Sequence, residues 1–167
     1  MTIHEICEVL RGELLDPRYE YGFICGGQVY RPDRSAGFDR EFDRLLKTIS
    51  CVQDPAATKE NRVGTCVDAV MLMRKTLEQY RISSTIWLLY APKGNKAHTV
   101  LTFEAENQVV YLELTPQSAK PWYGREIVYS SVQAFQKEFE KQGYEVTDVT
   151  DEVIVGERPY FLLNKLR

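Results

Sequence analysis

The sequence predicts an α+β fold, and three observations carry that prediction. Apolar residues recur at helical spacing in the first half of the chain, whereas segments rich in β-branched and aromatic residues, parted by turn residues, crowd the second half. The length of 167 residues suits a single domain, 1–167. With 44% apolar and 11% aromatic residues the chain can bury a core, which argues against disorder along its whole length.

In chain order, Ile3, Ile6, Cys7, Leu10 and Leu14 lie on one helical stripe over residues 3–15, closed by Asp16-Pro17. "YGFICGGQVYR" reads as two short strands around Gly26-Gly27. A second helix is expected in "FDREFDRLLKTIS", with Phe38, Phe42, Leu45, Leu46 and Ile49 on one face. Residues 51–64 lack periodicity and read as a loop, and a third, more apolar helix follows over 66–81. "STIWLLYA", "HTVLTFEA" and "QVVYLELT" are strands. "PQSAKPWYGRE" is a loop leading to a helix over 130–142, and "YEVTDVTDEVIV" with "YFLLN" reads as a final strand pair.

Lysine and arginine number 21 against 24 acidic residues, for a net charge of −3, and no basic block stands out. Nothing here favours nucleic acid or an anionic membrane as partner. No apolar run approaches the ~20 residues that span a bilayer. "MTIHEICEVLRGELL" has no basic start and carries acids among its apolar residues, so it does not read as a signal peptide and a cytoplasmic location is expected. The four cysteines, Cys7, Cys25, Cys51 and Cys66, are widely and irregularly spaced, and the only histidines are His4 and His98. No metal site and no cofactor is expected from such scattered ligands.

One stretch stands out, "RVGTCVD", Arg62 to Asp68. Thr65 followed three positions later by Asp68 has the form of a capping box, which makes Cys66 the first residue of a helix. A sulfur there faces unsatisfied N–H groups and the positive end of the helix dipole, both of which favour the thiolate, while the Asp68 carboxylate opposes it. The same residue also fits a core stripe with Val70, Met73, Leu77 and Tyr80. A nucleophile needs a base and the base an orienting group. His98 is the better placed histidine, because it opens a strand whereas His4 lies in an acidic helix. If Glu106-Asn107 form a two-residue turn, His98 faces Thr115 and Val100 faces Glu113. His98 and Glu113 are then diagonal neighbours on one side of the hairpin, ~7–8 Å apart at the backbone. Leu101, Phe103, Val110, Leu112 and Leu114 fall on the other side and pack inward.

Gly64-Thr65-Cys66-Val67-Asp68, the apolar helix after it, His98 opening a strand and "YLELTP" closing the next resemble the transglutaminase-like superfamily and its bacterial cysteine-peptidase branch. The match covers residues 53–116; residues 1–50 form a helical and hairpin extension outside it. The resemblance implies a papain-like core in which a helix presents the nucleophile and adjacent antiparallel strands present histidine and acid, here Cys66, His98 and Glu113. Thr65 stands where the family commonly has Asp, Thr99 and Val100 where it often has an aromatic residue, and Glu113-Leu114-Thr115 where it usually has Asp-Pro-Thr.

The implied activity is hydrolysis or acyl transfer on an amide of a protein or peptide substrate, through a thioacyl intermediate and without cofactor. The oxyanion is expected to be held by the Cys66 N–H and an upstream side chain, Gln53 first and Asn61 second. The alternative is a non-enzymatic protein-binding module that keeps the fold. In that reading Trp122 and Tyr123 of "PWYGRE" form a contact loop instead of packing back on the sheet. Acyl transfer from a thioester donor, as in the longer arylamine N-acetyltransferases, ranks third.

Overall fold

The computed structural model describes residues 1–35 and 37–166. It opens with α1 (Ile3–Leu14), whose N-cap Thr2 forms a capping box with Glu5 and whose buried stripe is Ile3, Ile6, Cys7, Leu10 and Leu14, the residues expected from their spacing. Three short strands follow, β1 (Glu20–Tyr21), β2 (Phe23–Cys25) and β3 (Gln28–Tyr30). β2 and β3 pair antiparallel around Gly26 and Gly27, both left-handed. α2 (Arg40–Ile49) is capped by the Asp39 side chain, so Phe38 falls before the helix and is exposed instead of joining its buried face.

Residues 51–64 are not the loop their composition suggests. Asp54 caps a short helix, α3 (Pro55–Asn61), with Pro55 at its first position, where the missing N–H is harmless. Arg62 turns the chain in a left-handed conformation into β4 (Val63–Gly64), which pairs in parallel with β1. The two-residue strand and seven-residue helix are too short to leave a periodic signal.

The centre of the fold is α4 (Cys66–Gln79) laid on a five-stranded antiparallel sheet. The sheet comprises β5 (Ser84–Ala91), β6 (Lys96–Ala105), β7 (Gln108–Leu112), β8 (Glu126–Tyr129) and β9 (Glu145–Asp148), in the spatial order β8-β7-β6-β5-β9. Glu106 and Asn107 are both left-handed, as a two-residue type I′ turn requires, and Thr102 pairs with Tyr111 and Phe103 with Val110. This is the register expected for the hairpin. β8, inside the region read as loop and helix, completes the sheet edge.

Both faces of the sheet are covered. α1 and α4 pack on the side of Leu101, Phe103, Val110, Leu112 and Leu114. α5 (Val132–Lys141) covers the other with Phe135 and Phe139 against Trp87, Val100 and Tyr111. The hairpin side that carries His98 and Glu113 is therefore apolar for most of its length, and the pair sits at its end. The last segment is not a strand pair: β9 ends at Asp148, and residues 160–163 form a short helix, α6 (Tyr160–Leu163). Residues 156–157 exchange backbone bonds with Val52, and the Arg158 guanidinium donates to the carbonyls of Lys47, Thr48 and Ser50 at the end of α2. Among the described residues no helix is long and apolar enough to cross a membrane.

One buried hydroxyl is left over. Thr99 is 0% exposed and its Oγ1 has no partner among the described residues. An unpaired hydroxyl in a core costs roughly 1–3 kcal/mol. Thr99→Val, which keeps the shape, is expected to stabilise the protein by about 1 kcal/mol. Urea unfolding checks this as a higher midpoint at unchanged slope.

Candidate active site

The site starts from the helix that carries Cys66. Thr65 is the N-cap of α4; its Oγ1 accepts from the Asp68 N–H at 3.4 Å, and Asp68 Oδ2 accepts from the Thr65 N–H at 3.0 Å. Asp68 Oδ1 accepts from the Gln53 N–H at 2.8 Å, so a single carboxylate, 2% exposed, joins the segment before α3 to the first turn of α4. Burial pushes Asp68 up to about 6 against the N–H donors of Thr65 and Gln53, which pull the other way. A Cβ on Gly64 would lie 3.0 Å from Asp68 Cβ and 3.3 Å from Thr58 Cγ2. Close packing on the helix it precedes, not turn geometry, is what demands glycine there.

Cys66 is 9% exposed and forms part of the wall of a cavity of about 620 Å³, so the thiol is reachable. The His98 imidazole is its neighbour, close enough that the sulfur acts on the ring's protonation. That ring is held by Glu113: His98 Nε2 lies 2.5 Å from Glu113 Oε1, which leaves Nδ1 without a claim from the carboxylate. Glu113 is 3% exposed and is itself fixed from two further directions. The Tyr111 hydroxyl donates to Oε1 at 2.8 Å and the Thr115 N–H to Oε2 at 3.1 Å. Behind it, Trp122 Nε1 donates to the Tyr111 oxygen at 3.2 Å. A continuous line of bonds thus runs from Trp122 through Tyr111 and Glu113 to His98, which neighbours Cys66.

The electrostatics follow from this line. Burial alone would lower His98, but the neighbouring sulfur and the bond to the Glu113 carboxylate, with its negative charge, raise it to about 10. Burial alone would raise Glu113, but His98, Tyr111 and Thr115 bring it down to about 2. Histidine cation and glutamate anion are thereby held together. Elsewhere, desolvation in the core pushes the Cys7 thiol up to about 11.

The structure thus brings Cys66, His98 and Glu113 together, with Thr65 and Asp68 at the helix start. It does not bring Gln53 and Asn61 to the sulfur. Gln53 Nε2 donates to Thr58 Oγ1 at 2.7 Å and to the Val63 carbonyl at 2.9 Å, so both amide hydrogens are taken. Asn61 is exposed on the last turn of α3 and does not line the cavity. Trp122, considered as a contact residue, packs against the Phe135 and Phe139 cluster instead.

One side chain at the site has no signature in the sequence, Tyr21. β1 pairs Tyr21 with Gly64, two positions before the cysteine, and Tyr21 lines the same cavity as Cys66. Burial raises its phenol, and the nearby charges of Cys66 and Asp68 raise it further. Its backbone N–H donates to Gln117 Oε1 at 3.1 Å, on the segment after Glu113. The N-terminal residues, outside the 53–116 stretch, are therefore part of the wall of the site. Among the described residues no three His, Cys, Asp or Glu side chains cluster as metal ligands do. No protein-family model matches the chain, and no curated protein is significantly similar to it.

The linked stabilities have opposite signs. His98 is raised from ~6.5, so its contribution is complete below that pH and is lost as pH rises through about 10. Glu113 is depressed, so its contribution is complete above ~4.3 and is lost as pH falls through about 2. Asp68, raised by burial, contributes below ~3.9 and loses that contribution as pH rises through about 6. The stability advantage of the wild type over His98→Gln is expected to shrink steadily from pH 7 to 10. Urea midpoints across that range test it, and an advantage independent of pH contradicts the ion pair.

Proposed function

We propose that the protein is a cysteine-dependent hydrolase of amide or peptide bonds, with a transglutaminase-like, papain-type arrangement of Cys66, His98 and Glu113. The observation that carries the reading is the His98 imidazole, 2.5 Å from the Glu113 carboxylate and beside the Cys66 thiol at the start of α4. These residues come from a helix start and two strands far apart in the chain, and nothing in the packing of a core calls for that meeting. A helix presenting the cysteine against adjacent antiparallel strands that carry histidine and acid further supports the family-level reading.

The Cys66 sulfur attacks the substrate carbonyl carbon, and the oxyanion that forms is held by hydrogen-bond donors. As the first residue of α4, Cys66 has an N–H with no intrahelical acceptor, and this is one donor. The Tyr21 hydroxyl, on the same cavity, is the second. The C–N bond then breaks as His98 gives its proton to the departing amine, leaving a thioacyl enzyme. Water attacks that thioester, His98 takes the water proton, and the acid leaves with regeneration of the thiol. Glu113 keeps the ring oriented and stabilises the imidazolium throughout. Hydrolysis is favoured over transfer because water needs no second binding site.

The binding-module reading offered Trp122 and Tyr123 as outward contacts, and of these the Trp122 indole is engaged with Tyr111 inside the molecule.

Iodoacetamide at neutral pH is expected to label Cys66 faster than the exposed Cys51, despite the greater accessibility of Cys51. Mass mapping reads the order, and equal or slower labelling of Cys66 defeats the activated-thiolate reading. Cys66→Ala is expected to abolish cleavage or deamidation of a glutamine-containing test protein, followed by intact mass. Tyr21→Phe is expected to lower kcat tenfold or more with little change in KM, since an oxyanion donor acts in the transition state. Steady-state kinetics on the two chains separates this from a binding role.

A further inference from the structure

The cavity beside Cys66 carries more information than its access to the thiol. It lies between α2, α6 and the start of β6, and its wall includes Leu46, Val52, Val67, Leu162 and Leu163. The polar groups of the wall are largely engaged with one another. Lys47 Nζ lies 2.8 Å from Asp43 Oδ2, Ser50 Oγ donates to the Leu46 carbonyl at 2.5 Å, and Thr65 is bonded to Asp68. What the wall offers an occupant is mostly carbon. Its volume of about 620 Å³ is that of a small-molecule site and exceeds what a single short side chain fills.

The position of His98 tells which half of a substrate belongs there. Cys66 is on the cavity wall, whereas His98, although beside the sulfur, is not. Proton donation to the departing amine requires that amine to lie at the imidazole. The acyl half must then extend away from His98, on the side where the cavity lies.

Resting on the hydrolase reading above, we propose that this cavity is an acyl pocket, and that the substrate is an amide whose acyl half is a long aliphatic group. A carboxamide or charged side chain placed against Leu46, Leu162 and Leu163 would give up hydrogen bonds to water without replacement. The pocket depends on the C-terminal tail, because α6 supplies Leu162 and Leu163 and is anchored through Arg158 to the end of α2.

The test uses the full chain and a series of acyl amides of 7-amino-4-methylcoumarin, from acetyl to octanoyl, read by release of the fluorescent amine. The expected result is a kcat/KM that rises about fourfold per added methylene until the pocket is full. Leu163→Trp, which narrows the cavity, is expected to cut the preference for octanoyl over acetyl at least tenfold. Binding is measured separately by calorimetry of octanamide with Cys66→Ala, and saturable binding weakened by Leu163→Trp supports the pocket. Rates independent of chain length, together with no octanamide binding, overturn it. If no acyl amide turns over and Cys66 labels no faster than Cys51, while octanamide still binds Cys66→Ala, the hydrolase reading falls and the apolar site stands.

Discussion

The site depends first on the register of one hairpin. His98 and Glu113 meet because the turn at Glu106 and Asn107 has two residues, both left-handed. A strand presents its side chains alternately, so a slip of one residue would send Glu113 to the α4 side and an apolar neighbour to the imidazole. The sheet enforces the register from both faces. Leu101, Phe103, Val110 and Leu112 must face α4, and Val100 and Tyr111 must face α5. Burial of two distinct apolar sets leaves the pairing no alternative.

The second constraint is the buried carboxylate of Asp68. It accepts from two backbone N–H groups of separate segments, at Thr65 and Gln53, and so sets the start of α4 against the chain before α3. A carboxylate in that position opposes negative charge on the sulfur two residues earlier. The imidazolium counters it: His98, held positive by Glu113 and by the sulfur itself, supplies the neighbouring charge that the helix start alone does not secure. Tyr111 and Trp122 extend this support into the aromatic cluster under α5, so the orientation of Glu113 is tied to the packing of the far side of the sheet.

The ends of the chain complete the surroundings of the sulfur. β1 lies beside Gly64 and brings Tyr21 to the cavity, while the tail after β9 crosses back, pairs with Val52 and sets α6 over the other wall. The thiol is consequently reached through a crevice made by segments from both ends of the chain, which makes accessibility a property of the whole fold.

The sequence by itself determined what rests on local chemistry. The spacing of Ile3, Ile6, Cys7, Leu10 and Leu14 specified the buried face of α1, Thr65 and Asp68 specified the start of α4, and alternation in "HTVLTFEA" and "QVVYLELT" specified which residues share a face. α3, β4 and β8 were not legible, because elements of a few residues show no period, and "YFLLN" is apolar in a way that suits a strand as well as a helical turn. Only the tertiary structure decided that Gln53 spends its amide on Thr58 and Val63, that Tyr21 stands by the cysteine, and that the tail closes the cavity. Those outcomes depend on contacts between segments far apart in sequence and on how much water each group loses. Desolvation and long-range pairing belong to the assembled fold, and no local pattern of residues encodes them.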